Sequence, residues 1–309
     1  MLTKASRKSV MAFGLSALCL MAGFAQAAER ELDTAYGKVR IKGEPMRVIT
    51  LDEGALDLSL SIGIKPVGAL ASRGGDKVAN YLQDKASDIT IVGSVREPNL
   101  EAIFRQKPTL ILAAAGLPED TYKKLSLMAP TVVPEKDAAF RPWRDNMRFY
   151  GKALGREQAV EAKLAEIDQR IAALKAKLPQ EVSLSVARWN PQGPIVMSAN
   201  LFVGQIINDL GVETTELAKS VKDRPHSDTL SLENLSGIDA DWLFLGTLNA
   251  DGNKALEDAK KQPAFVRLNA VKQQHVVTVD GQIWSSGSGP LAAEVILTDI
   301  EKAILSETK

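Results

Sequence analysis

Residues 156–178 read REQAVEAKLAEIDQRIAALKAKL, and Val160, Leu164, Ile167, Ile171, Leu174 and Leu178 recur in them at spacings of 4, 3, 4, 3 and 4. That rhythm puts the six apolar side chains on one stripe of an α-helix, while Glu161, Lys163, Glu166, Asp168 and Arg170 fall off it. Pro179 stops the helix. Twenty-three residues rise about 34 Å, enough to run along a small domain. The heptads are too few for a coiled coil, and no Gly/Ser hinge interrupts the stripe. The segment therefore reads as a single stiff connector between two parts of the chain, residues 28–155 and 179–309, which should move little relative to each other.

Both parts alternate strand with helix, the pattern of an α/β fold with mostly parallel sheets. Strands are predicted over 36–41, 47–51, 64–70 and 109–113, with helices over 55–61 and 99–106. After the connector, strands are predicted over 183–187, 242–245 and 276–279, with helices over 203–210 and from 231. A short repeat links the halves. Leu100-Glu101 and Leu232-Glu233 each open a helix, and a strand core begins nine residues after each Glu. An earlier helix in each half ends in Ile62-Gly63-Ile64 or Leu210-Gly211-Val212. Two lobes of similar plan follow.

The chain of 309 residues begins with Lys4, Arg7 and Lys8, followed by the uncharged run VMAFGLSALCLMAGF at 10–24. Fifteen helical residues span about 22 Å, short of a ~30 Å hydrocarbon core. Ala25-Gln26-Ala27 then offers a small-x-small cleavage site. Residues 1–27 read as a signal peptide that sends a soluble mature chain to the periplasm. Cys19 lies inside the apolar run after Leu18, the wrong place for a lipid anchor. Removing the leader takes three basic residues from a balance of 38 Lys+Arg and 38 Asp+Glu, leaving a net charge of −3, and removes the one cysteine. Neither value suits nucleic-acid binding by bulk charge, a disulfide or a multi-thiolate metal site.

No metalloprotease, serine-hydrolase or phosphate-loop motif is present, and two histidines, His226 and His275, do not make a metal site by themselves. Gly287-Ser288-Gly289-Pro290-Leu291-Ala292 fits a dinucleotide fingerprint, but no second strand follows it. It reads either as a loop that lets a ligand or the other lobe approach the backbone closely, or as a plain turn.

Tyr36-Gly37, Arg47-Val48-Ile49, Gly63-Ile64-Lys65-Pro66-Val67-Gly68 and Pro98-Asn99-Leu100-Glu101-Ala102-Ile103…Lys107-Pro108-Thr109-Leu110-Ile111-Leu112 together resemble the substrate-binding proteins of iron–siderophore and cobalamin ABC importers. Among these, the ferric-hydroxamate binders are the nearest likeness. The resemblance implies two α/β lobes joined by one long helix, with a shallow ligand cleft between them. It also implies a monomer that hands a ferric siderophore to an inner-membrane permease dimer. The iron would arrive inside its chelate, so no cofactor is expected. Cobalamin or haem are alternative ligands, and an exported α/β hydrolase is an alternative of another class.

A siderophore already satisfies Fe(III), so the protein needs only groups that fit the outside of the complex: Arg forks for metal-bound oxygens and aromatic rings for the apolar body. Loops after strands supply Arg188, Trp189 and Arg73, the loop before Leu232-Glu233 supplies Arg224 and His226, and Arg96 stands just before the Asn-Leu-Glu segment. Trp284 is placed in the loop after residues 276–279, at a position resembling the pocket Trp of hydroxamate binders. Each Arg also reads as an ordinary surface residue, Trp143 as either core or site, Trp242 as core and His275 as structural. Val95 stands where hydroxamate binders tend to have Arg, and no Tyr lies near Gly116-Leu117. The spacing of His226 from Glu233 resembles that of an iron-binding His in binders of tetradentate catecholates. Glu101 and Glu233 resemble the family's permease-docking residues; helix capping is the alternative reading.

Overall fold

Val48–Leu51 (β3) and Leu110–Ala113 (β6) are buried along their whole length. A short apolar run with no alternation suits a central strand of a parallel sheet covered on both faces. The computed structural model, which describes residues 29–306, places them side by side. The leader at 1–27 lies outside the described residues. An antiparallel hairpin, β1 (Glu29–Thr34) with β2 (Gly37–Lys42), comes first. The first lobe's sheet adds β4 (Gly68–Ala71), β5 (Thr90–Ser94) and β7 (Thr131–Val132) in the order β5-β4-β3-β6-β7, all parallel. The chain winds one way from β3 to β4 and the other way to β6, so the switch point opens between β3 and β6.

The second lobe's sheet holds β8 (Leu184–Asn190), β9 (Gly193–Val196), β10 (Trp242–Thr247) and β11 (Val276–Asp280) in the order β11-β10-β8-β9. Only the β8–β9 pair is antiparallel. This is the α/β fold of two lobes with mostly parallel sheets read from the sequence. The strand expected over 64–70 begins only at Gly68, because Pro66 has no N–H to give a ladder.

The connector is the helix Glu157–Lys175, and Val160, Leu164, Ile167, Ile171 and Leu174 are its buried residues. Leu178 is half-buried against the same cluster. Each fully buried side chain of this kind contributes about 1.5–3 kcal/mol. Gly155, at φ 66, ends the preceding helix Trp143–Leu154, and the two helices pack together. The connector also packs on the helix Pro290–Ser306. One apolar core thus runs from Leu110 and Leu112 through the connector to Val186 and Phe244.

Gly63 and Gly211, the glycines of the repeated triplets, both take left-handed φ, +78 and +74. The Leu-Glu repeat holds less strictly. Leu100–Arg105 is an α-helix capped by the Asn99 side chain, but Leu232–Ile238 is a 3₁₀ segment broken at Asn234. Ser231, Asn234, Ser236 and Gly237 favour turns over a helix interior.

The stretch Gly287–Ala292, a loop that runs into the helix Pro290–Ser306, receives the other lobe. Asp57, in the first-lobe helix Glu53–Ser61, accepts hydrogen bonds from the Leu291 and Ala292 N–H groups, both at 2.8 Å, and from the Tyr81 hydroxyl at 2.9 Å. Gly289 sits at φ +118, and a Cβ there would lie 2.6 Å from the Asp57 carboxyl carbon. Gly289→Ala should therefore lower stability by about 1–3 kcal/mol in urea denaturation. Gly116→Ala, also at positive φ but with nothing within 4 Å of its Cβ, should cost less. Equal losses would show that the seam is not tight at Gly289.

Candidate functional site

In parallel α/β sheets ligands gather at the carboxyl ends of the strands, at the switch point. A cavity of about 340 Å³ opens there. β3 ends into Asp52 and Glu53, β4 into Ser72 and Arg73, and β6 into Ala114 and Ala115, all lining it. The second lobe contributes Arg188, His226 and the stretch from Trp284 to Ser288. Trp143, Tyr150 and Phe202 add aromatic wall. The cavity thus lies between the lobes, as the resemblance implies.

Its charges are unevenly matched. Arg188 is 8% exposed; its Nη1 donates to Ser285 Oγ at 3.2 Å, and its buried Nε has no partner. Burial, and then the nearby charge of Arg73, pull this guanidinium below its usual pKa. No carboxylate pairs with it among the described residues. A buried cation left this way is costly unless an anion joins it.

Across the cavity the acids are held by donors. Asp52 caps the Glu53–Ser61 helix by accepting from the Ala55 N–H at 2.8 Å. Burial raises its pKa. Glu53 accepts from the Ser72 hydroxyl at 2.8 Å. Burial raises it to about 7, against that hydrogen bond, with the charge of Asp52 adding to the rise. Asp57, deeper in the seam, is also pushed up to about 7 by burial, while its three donors pull the other way.

The structure sorts the residues singled out from sequence. Arg188, Arg73, His226 and Trp284 line the cavity; Trp189, Arg96 and Arg224 do not. Trp189 follows Arg188 on β8, and successive strand residues face opposite sides. It is 3% exposed and packs edge-on to Phe265 in a separate core of the second lobe. That alternation was available in the sequence and rules out placing both in the cleft. Arg224 is exposed and grips Asp228 through both oxygens. Arg96 is exposed in a turn, and its neighbour Val95 lines the cavity instead.

Trp284 lies not in a loop but in the helix Gly281–Ser286, 1% exposed. It stacks on Phe244 and its Nε1 donates to Asp299 at 3.0 Å, so it is core as much as wall. Trp143 is likewise both, 2% exposed beside Phe202. His226 Nδ1 lies 2.8 Å from the Ser227 carbonyl oxygen. Trp242 and His275 stack in the second lobe, as structural residues. Asp52, Glu53 and Ser285 were not anticipated. The signal for the acids was their position, directly after a predicted strand.

Glu101 and Glu233 are exposed and lie outside the cavity. The Asn99 side chain accepts from the Ala102 N–H and so takes the capping role, while Glu101 pairs with Arg105.

Among known proteins, the chain is 34% identical to the probable siderophore-binding lipoprotein YfiY of Bacillus subtilis, over 86% of this chain and 84% of the relative. It is 32% identical to the Fe(3+)-citrate-binding protein YfmC of the same organism, over 90% and 87%. It is 27% identical to that organism's iron(3+)-hydroxamate-binding protein FhuD, over 79% and 76%. The crystal structure of Staphylococcus aureus SirA complexed with staphyloferrin B superposes with a TM-score of 0.78 at 30% identity, covering 89% of this chain and 98% of that one. Residues 48–283, which hold both sheets and the helix between them, match the family described as periplasmic binding protein, and the chain belongs to that family.

Proposed function

We propose that this protein captures a ferric siderophore between its lobes and delivers it to an inner-membrane ABC importer. One observation carries the reading furthest: Arg188 is buried in the cleft with Nε unpartnered and Arg73 beside it. Such a pair suits a chelate whose outer oxygens carry negative charge. The likeness to proteins named for siderophores and for Fe(3+)-citrate supports it. Iron is cargo within the chelate, and the family supports binding rather than catalysis. Ferric citrate and related anionic chelates fit the arginine pair best. Ferric hydroxamates are a second reading, favoured by the hydroxamate-binding relative.

Tryptophan fluorescence, reporting from Trp143 and Trp284 in the wall, should be quenched by at least one member of a panel of ferric citrate, ferric hydroxamates, ferric catecholates, cobalamin and haem. The chelate should be recovered intact. Arg188→Ala should weaken binding by about 1.5–3 kcal/mol, the range for a hydrogen bond to a charged group. Quenching only by cobalamin or haem, or breakdown of the chelate, would overturn the proposal.

Export rests on the leader. The mature chain should begin at Ala28 and fractionate with soluble periplasm. N-terminal sequencing that finds Met1 retained, or lipid on Cys19, would count against release.

Delivery rests on Glu101 and Glu233, one exposed acid on each lobe; in this reading each meets one subunit of a permease dimer through a charge pair that sets register. Glu101→Ala/Glu233→Ala protein should bind the chelate normally yet fail to stimulate the importer's ATPase, with partial loss in each single variant. Full stimulation by the double variant would remove the docking role.

A further inference from the structure

Glu53 stands in the wall of a cleft that awaits an anion, an odd place for a carboxyl group. It occupies the first turn of the helix Glu53–Ser61 and accepts a hydrogen bond from the Ser72 hydroxyl at 2.8 Å. No cation lies within ion-pair distance of it among the described residues. Asp52 and Asp57 repel it from its own turn and helix. Arg73 attracts it from the end of β4. The Tyr81 hydroxyl, held by Asp57, lies on the turn Asn80–Leu82. The second lobe sets Arg188, His226, Ser285 and Ser288 around the same cavity, with Glu294 behind Asp57.

We propose that Glu53 is the proton-exchanging residue of the cleft, taking up a proton as an anionic ferric chelate seats against Arg73 and Arg188. The inference rests on the proposed function, and it adds a coupling between capture and pH. Two negative charges cannot share one enclosed space cheaply, so the group able to neutralise itself does so. Glu53 is poised for this, since burial has already raised it to about 7. The sign follows. Below that value the carboxyl is neutral and the arginines act unopposed. Above it the carboxylate competes with the chelate for Arg73, and affinity falls as pH rises. Asp57 is held at a similar value, but its oxygens are taken by the Leu291 and Ala292 N–H groups and the Tyr81 hydroxyl, so it faces the seam and not the ligand.

The test is calorimetry of ferric citrate binding at pH 7.5 in two buffers of different protonation enthalpy, which reads protons exchanged. Wild-type protein should take up on the order of half a proton per chelate more than Glu53→Gln, which can still accept from Ser72. The affinity of wild type should drop several-fold from pH 6.5 to 8.5, beyond any drop in the variant. Equal proton uptake by both proteins would overturn the role of Glu53 and leave the proposed function standing. No binding of ferric citrate or of any other ferric chelate by either protein would overturn both. A second measurement needs no substitution: carboxyl-carbon NMR titration of wild type with diamagnetic gallium citrate. The Glu53 midpoint should rise on binding. A midpoint unmoved, or already in the ordinary carboxyl range in the free protein, would overturn the inference.

Discussion

The Asp57 carboxyl is a polar tie between the two lobes, beside the apolar core that they share. Asp57 leaves the first lobe and receives the Leu291 and Ala292 N–H groups, the free donors at the start of the second lobe's helix Pro290–Ser306. A helix N-terminus carries unsatisfied donors and partial positive charge, and an acid satisfies both. In dinucleotide-binding folds a phosphate fills such a place; here the protein fills it with its own side chain. The fit is close enough that residue 289 must lack a Cβ. With that contact in place, Asn80 meets Asp280 and Gln282 across the same seam.

The seam determines what the cleft can be. Because the lobes meet along the helix Glu53–Ser61, the strand ends above it face each other across a cavity and not across open solvent. Enclosure raises the cost of each charge and strengthens each interaction between charges. Arg188 is therefore a costly buried cation, and burial pushes the Glu53 carboxyl up to about 7; neither effect would arise on a surface. The same enclosure explains the mixed roles of Trp143 and Trp284, which complete the core on one side and form wall on the other.

The fold sets the cavity apart from the two exposed glutamates. The cavity opens at the switch point of the first sheet, whereas Glu101 and Glu233 lie exposed beyond its lining. Asn99 has relieved Glu101 of a capping duty, and its exposed pair with Arg105 is the local contact that remains to it.

Much of the architecture was legible because it depends on periodicity. The 4-3-4-3-4 stripe became the buried face of the connector, and the Leu-Glu spacing marked the start of β6 and β10. Local turn chemistry was legible too, as Gly63 and Gly211 show. The composition of the cleft was only half legible. Arg188 and Arg73 follow from their places at strand ends, but adjacency in sequence gave no warning that Trp189 would face another core, except through the alternation of a strand. Three things needed the tertiary structure. They are the partner of the glycine loop, Asp57, 234 residues away in sequence from Leu291, the lack of a carboxylate paired with Arg188 among the described residues, and the burial that pushes Glu53 up to about 7. Each depends on how the two lobes face one another, and an interaction between distant segments leaves no periodicity in either one.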